Sequence, residues 1–387
     1  MDFTNPSKLF IRGNRSQKNT NLSNMIKIIG VGDIFPGGLL NGKNEAYLSD
    51  EVQLFIQSAD IRVGTLETAI GNTPSFYEEK MKRRGNVIYS EDKDLLRLQE
   101  MHIDVVSLAN NHFLDLGPEG AVHAIDLLDQ LGILHTGAGR NLQEAAHPAI
   151  INKNGETYAF LAFCDNRPET TGWCKFASAT DAGINPMDED YVLAQIRGAK
   201  QLYDYVIVMP HWGIEYSIFP TMRVRKLAHK MLQAGADLIM GSHPHCVQPI
   251  EKTSRGSIVY SMGNFLFPDR LITPPRSTWY PHKDIDLSAL PVTMSYPYVK
   301  TPTLKLWKPK ARIGMMVVNN GKHVSYRLTH LSDRQCVEML NKNGLIRLKL
   351  KCISTIMSFG LYSPLYYMVQ VVRILNFILF KRLLSKK

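Results

Sequence analysis

Cysteine is scarce in this chain and badly placed for a disulfide framework. Five thiols, Cys164, Cys174, Cys246, Cys336 and Cys352, are scattered through 387 residues, and an odd number cannot pair completely within one chain. Reduced, mostly structural thiols in a cytosol-facing domain are expected. The first 24 residues lack an apolar stretch fit for a signal peptide, and their Asn14, Ser16, Asn19, Asn21, Ser23 and Asn24 read as a flexible leader. No repeat of fixed period is present, which argues against a solenoid or propeller. No Gly-x-Ser-x-Gly elbow is present either, so a covalent serine mechanism is disfavoured, and Cys246 reads as a packing residue rather than a nucleophile. The glycines of residues 31–38 lack the spacing of a Walker or dinucleotide fingerprint, which disfavours a nucleotide cofactor. A net charge of +10 comes with no nucleic-acid motif, so a lipid surface or an acidic polymer is a better partner than nucleic acid.

What the chain does have is a series of metal-type side chains, each placed just after a short apolar run. Residues 25–32 lead into Asp33, 61–66 into Glu67, and 104–109 into Asn110, Asn111 and His112. Further on, 205–210 lead into His211, 237–241 into His243 and His245, and 257–263 into Asn264. Short β-branched runs bounded by Gly, Pro and Asn read as buried strands. Helical patterns lie between them, at Pro118 to Leu131 and Tyr191 to Leu202. The alternation predicts a layered α/β core, and groups so far apart in sequence meet only if parallel strand ends share one edge of a sheet. At 44% hydrophobic residues, the chain can bury one large core, expected over 25–335 with a basic, apolar appendage at 336–387.

Imidazole and carboxylate together suit Zn²⁺, Mn²⁺ or Fe²⁺. Taken alone, each member has a plainer use. Asp33 could cap a helix, Glu67 could be a solvated strand-end carboxylate, and Asn110 with Asn111 could shape a turn. His243-Pro-His245 could be a surface loop, although Pro244 would stiffen it and leave the imidazoles less entropy to lose on binding a metal. Around them, Lys82, Arg83, Arg84, Glu215, Arg223 and Asn264 are candidate substrate contacts, with a solvated charge run as the alternative for residues 82–84.

In order, these segments resemble the CapA family of poly-γ-glutamate capsule synthesis proteins, itself similar to calcineurin-like metallophosphoesterases. The matching segments are Gly32-Asp33, Leu66-Glu67, residues 109–117, residues 211–216, Gly241 to His245 with Gln248, and residues 260–267. The resemblance implies a four-layer α/β/β/α sandwich. Asp33, Glu67, Asn111, His211, His243 and His245 would surround one or two divalent ions, with His112 as proton donor or oxyanion stabiliser and Asn110 beside it. Two departures stand out: Phe35 where a ligand histidine is usual, and Thr65 where an asparagine is usual, leaving a hydroxyl to orient the Glu67 carboxylate.

The segment from Ile353 to Val372 carries no charge and is bracketed by Arg347, Lys349, Lys351 and by Arg373, Lys381, Arg382, Lys386, Lys387. It approaches the ~20 residues of a membrane span. Its Gly360, Pro364 and serines suit helices lying peripherally in an anionic leaflet better than a crossing; the alternative is packing on the domain. The expected protein is thus a membrane-associated, metal-dependent hydrolase for synthesis, release or attachment of an anionic extracellular polymer, working with capsule synthesis or export proteins. A non-catalytic polymer-binding accessory protein and a soluble phosphatase or nucleotidase are the alternatives.

Overall fold

The computed structural model describes residues 26–41, 45–71, 87–167, 174–273, 292–295, 303–321 and 323–358, with 362, 364 and 366. The leader, Lys82, Arg83, Arg84 and nearly all of the chain after Ser358 lie outside the described residues.

Two sheets carry the fold. In the first, β1 (Lys27–Ile34), β2 (Ile61–Leu66), β3 (Val105–Ser107) and β4 (Leu134–Thr136) run parallel, and β11 (Asn264–Leu266) joins β1 in parallel. Beyond β1, the antiparallel strands β12 (Ile313–Asn320), β13 (His323–Leu331) and β14 (Val337–Met339) complete eight strands. The second sheet holds β5 (Ala149–Lys153), β6 (Glu156–Cys164), β7 (Tyr205–His211), β8 (Leu238–Met240), β9 (Ile250–Lys252) and β10 (Ser257–Val259), in the order β9-β10-β8-β7-β6-β5. Its inner four, β6, β7, β8 and β10, are parallel. A five-stranded sheet, including Val87–Ser90, Arg270–Thr273 and Thr303–Lys305, lies at the edge that carries the site.

Side-chain alternation separates the layers. Along β6, Phe160, Ala162 and Cys164 join the core shared with the first sheet, whereas Ala159, Leu161 and Phe163 join a second core with α3 (Glu189–Leu202) and α4 (Met222–Ala234). The first sheet also packs against α1 (Asp50–Gln57) and α2 (Gly117–Gln130) through Val52, Ile56, Ala121, Ile125 and Leu128. The order is therefore helices, sheet, sheet, helices, the expected four-layer α/β/β/α sandwich. Helices α2 and α3 begin within two residues of their expected starts. Pro118 sits at the first turn of α2, and Asp188 caps α3 by accepting the Tyr191 N–H.

The two sheets and their strand ends meet closely where the site lies. A Cβ on Gly32 would stand 1.8 Å from the Gly263 carbonyl, the group that accepts the Asp33 N–H at 2.9 Å. Only glycine permits this approach, which binds β1 to the turn before β11.

The packed domain continues past residue 335, where the sequence suggested a boundary. Val337–Met339 pairs with β13, and α5 (Gly344–Ser358) buries Ile353 and Met357, with Tyr362 beyond it, in the α3/α4 core. Ser354 Oγ donates to the Ile250 carbonyl at 2.9 Å, Arg225 Nη2 donates to the Met357 carbonyl at 3.2 Å, and the Tyr362 hydroxyl donates to the Pro220 carbonyl. The start of the uncharged C-terminal segment is therefore docked on the domain. Among the described residues, no helix is long and apolar enough to cross a membrane.

Candidate metal centre

Parallel pairing puts the C-terminal ends of β1, β2 and β3 side by side, and β7 and β8 deliver theirs from the facing sheet. Asp33 lies within β1 near its end, and Glu67 follows β2 directly; both are fully buried. This removes the helix-cap use of Asp33 and the solvated use of Glu67.

Two groups of ligand atoms, each mutually within 4.8 Å, share one carboxylate: Glu67 with His211 and His243, and Glu67 with Asp33 and His245. Glu67 Oε1 lies 3.7 Å from His211 Nε2 and 3.6 Å from His245 Nε2. Asn111 Oδ1 is 2.8 Å from His211 Nε2, and His243 Nδ1 is 3.1 Å from the same nitrogen. All six expected ligands thus converge.

The histidine loop is not an extended strand. His243 and His245 have φ of 94° and 52°, so a turn, not strand alternation, aims both rings inward. Such φ values are costly for residues with a Cβ and concentrate at functional sites. The rings are held from behind. His211 Nδ1 is 2.9 Å from Ser242 Oγ. Asn264 donates through Nδ2 to the Ala311 carbonyl at 2.9 Å, so its Oδ1 accepts the His245 Nδ1 proton at 2.8 Å and leaves His245 Nε2 facing Glu67. Asn264, expected at substrate, is hydrogen-bonded to a histidine in the manner of groups that fix an imidazole tautomer.

The electrostatics fit a cation. Burial, reinforced by Asp33 and Glu215, pushes the Glu67 carboxyl far above its ordinary range, while burial and the neighbouring His243, His245 and His112 hold the His211 imidazole far below its own. Asp33 Oδ1 and both oxygens of Glu67 are buried and accept no hydrogen bond among the described residues. The Thr65 hydroxyl, expected to orient Glu67, therefore does not do so. Buried carboxylate oxygens left without donors are costly, and a divalent cation is the partner that these atoms and neutral imidazoles fit. Phe35, at the usual histidine position, is buried against Phe267 with ring centroids 5.2 Å apart.

His112 stands beside the cluster with Nδ1 2.7 Å from Asp115 Oδ2, an oxygen that also accepts the Ile88 N–H at 2.7 Å. Asp115 thus favours the Nδ1–H tautomer, in which Nε2 carries the lone pair. Asn110 braces the loop: its amide donates to the Leu66 carbonyl at 2.8 Å, and its Oδ1 accepts the His112 N–H at 3.0 Å. Glu215 lies exposed at the rim; desolvation would raise its carboxyl, but His245, His243 and His112 outweigh it and leave the group below its ordinary value. Arg223 is committed elsewhere, in an ion pair with Asp165. Cys246 is buried, and that burial pushes its thiol up to about 11, consistent with packing.

Three groups near the cluster escaped the strand-end pattern. The Trp307 ring lies 5.1 Å from His245, Arg270 stacks 4.0 Å over that indole, and Lys305 faces Arg270 across a strand pair. Asp115 was visible within residues 109–117, but Trp307 and Lys305 lie some forty residues past the last motif and had no local signal.

Residues 27–269 match the profile of the family described as bacterial capsule synthesis protein PGA_cap. Among curated proteins, the chain is 32% identical over 244 residues to the PGA biosynthesis protein CapA of Bacillus subtilis (strain 168), a match covering 61% of this chain and 62% of that protein. It is also 32% identical over 249 residues to the capsule biosynthesis protein CapA of Bacillus anthracis, covering 61% and 58%. The match thus spans about three-fifths of the length of each relative. A crystal structure of a 5'-nucleotidase precursor from Thermus thermophilus aligns at a TM-score of 0.36 and 13% identity over 79% of this chain and 54% of that one, too slight a likeness to carry an argument. The profile match runs from β1 through every strand-end residue of the cluster to Asp269, well over half the chain, and so this protein belongs to the PGA_cap family of bacterial capsule synthesis proteins.

Proposed function

We propose that the chain is a metal-dependent hydrolase acting in the synthesis, release or attachment of an anionic, polyglutamate-type extracellular polymer. The observation that carries this is the Glu67 carboxylate, buried without a hydrogen-bond donor and shared by two groups of imidazole and carboxylate ligands. The names of the CapA relatives support the polymer class.

Asp33, Glu67, Asn111, His211, His243 and His245 would hold one or two divalent ions of the Mn²⁺, Zn²⁺ or Fe²⁺ type. Such an ion supplies Lewis acidity and lowers the pKa of coordinated water. Asn264 and Ser242 hold the rings of His245 and His211 in orientation. His112 would move the proton: in its doubly protonated form Asp115 retains the Nδ1–H while Nε2–H gives its proton to the leaving group, which leaves the ring as the neutral Nδ1–H tautomer. The indole of Trp307 and the ring of Phe267 wall one side of His245 and limit water there.

Elemental mass spectrometry of the purified protein and of a His243→Ala/His245→Ala variant tests the centre. Stoichiometric metal in the parent, its loss in the variant, and Mn²⁺-dependent cleavage of a γ-linked glutamate polymer or a phosphate ester are the expected results. Absence of metal under every loading condition would move a polymer-binding accessory role to first place.

Contact with an anionic membrane surface we assign to the basic segment after Tyr366, supported by Arg373, Lys381, Arg382, Lys386 and Lys387. Co-sedimentation with anionic vesicles should be lost in a chain ending at Tyr366; retention would remove the assignment. A chain ending at Asn341 is a poor test, because it lacks the packed helix α5.

A further inference from the structure

We infer that the outer face of α5 rests on an anionic lipid surface and fixes how the domain sits against it. The inference deepens the membrane assignment above and rests on it. The segment after Tyr366 supplies attachment and α5 the second contact, since stable association with a leaflet takes two signals.

Sequence sets the charge. After Glu338 the remaining 49 residues hold no acidic side chain and nine basic ones, Lys342 first and Lys387 last, against a net charge of +10 for the whole chain. The fold sets the faces. Helix α5 turns Leu350, Ile353 and Met357 inward, and the hydrogen bonds from Ser354 to the Ile250 carbonyl and from Arg225 to the Met357 carbonyl clamp it to the second sheet and α4. At 3.6 residues per turn, Leu345, Leu348 and Cys352 fall on one line along the opposite face. Leu345 is 84% exposed and Leu348 58%, and Cys352 is exposed with them. Lys349 and Lys351, also exposed, stand to either side of that line, and Lys342 lies just before the helix.

A single exposed leucine needs no explanation. Two on one line of a helix whose other face is committed to protein, with a lysine on each flank and no carboxylate along it, match an in-plane interfacial contact. The leucines enter the boundary of the acyl region, and the lysine stems lie along it while their ammonium groups reach lipid phosphates. Arg347 takes no part, because it donates to Asn343 Oδ1 at 2.5 Å and stacks 5.0 Å from the Tyr326 ring centroid, on the domain side. A second copy of the chain fits this face less well than lipid does. A two-fold contact would bring the same lysines against one another, whereas an anionic leaflet meets them with opposite charge.

The full chain should be co-sedimented with mixed phosphatidylglycerol–phosphatidylcholine vesicles and, separately, with phosphatidylcholine vesicles. Binding to the anionic vesicles is expected, weakened about tenfold in Leu345→Ser/Leu348→Ser and about tenfold in Lys349→Gln/Lys351→Gln. Leu134→Ser removes an exposed leucine from β4, at the opposite edge of the first sheet from the strand that leads into α5, and should leave binding unchanged. Alkylation of Cys352 by a water-soluble maleimide, followed by peptide mapping, should slow several-fold when anionic vesicles are added, which locates the contact on α5 itself. Undiminished binding by either paired variant, or an unchanged rate at Cys352, overturns the contact and leaves the assignment of the later segment standing. Equal binding to phosphatidylcholine vesicles overturns the anionic preference, and a parent that binds neither vesicle removes both assignments. A parent dimer in sedimentation velocity that Leu345→Ser/Leu348→Ser dissociates gives the face to a second copy and equally overturns the inference.

Discussion

Glu67 and Glu251 are both buried glutamates of the two-sheet core, and their surroundings differ in kind. Glu251, on β9, accepts hydrogen bonds from Arg225 at 2.8 and 3.2 Å and from the Tyr260 hydroxyl at 2.7 Å, with His229 Nε2 at 3.0 Å. Burial alone would raise its carboxyl, but the bonds from Arg225 and Tyr260 outweigh burial and hold it below the ordinary value of 4.5. At Glu67, burial meets other carboxylates and no donor, and the carboxyl is driven upward. Glu251 is a finished structural joint linking α4, the second sheet and, through Arg225, the C-terminal helix. Glu67 has no such donors, which is the observation behind the proposed cation site.

The largest test of that contrast is Glu67→Gln. It should abolish stoichiometric metal binding and hydrolysis together while the metal-free fold is retained, since an amide replaces a buried carboxyl whose charged form burial already disfavours; elemental analysis and a melting curve check both halves. Next, His112→Ala should lower kcat by about 10²–10⁴ with metal content intact. Asp115→Asn should lower it less and alter the pH–rate profile, which locates Asp115 as a positioning residue. Glu251→Ala should do the reverse of Glu67→Gln, leaving metal bound but lowering stability by about 3 kcal/mol in denaturant unfolding, because Arg225 loses its buried partner.

Because the folded pKa of Glu251 is depressed, its contribution is present above about pH 4.5 and is lost as pH falls through the lower folded value. The melting temperatures of parent and Glu251→Ala should therefore converge in that acidic range. The smallest effect is expected for Tyr362→Phe. Removing its hydroxyl from the Pro220 carbonyl should cost about 1 kcal/mol and leave activity untouched.

The apolar runs ending in Asp33, Glu67, Asn111, His211 and His243 made the strands, their parallel edge and the side chains that converge there legible, because burial on both faces leaves a near-continuous hydrophobic record. The roles of Asn264 and Asn110 were not legible. An amide's sequence does not say whether its hydrogen bonds go to substrate, to a ligand ring or to a backbone carbonyl, and here they go to His245, the Ala311 and Leu66 carbonyls, and the His112 N–H. Thr65 misled for a similar reason: proximity in sequence to Glu67 does not place a hydroxyl within bonding distance. The packed start of the C-terminal segment was equally hidden, since an uncharged helix has the same composition whether it faces lipid or the α3/α4 core.

Local pattern thus determined which residues stand at the strand ends and which strands bring them to one edge, because hydrophobic periodicity and strand-end placement are properties of neighbours in sequence. Tertiary structure alone decided that Glu67 is left without donors, that Asp115 and Asn264 set two imidazole tautomers, and that Arg270 stacks on the indole beside His245. Those outcomes depend on distances between chain segments tens to hundreds of residues apart, where desolvation and direction of approach determine the state of a charged group, and one-dimensional spacing records neither.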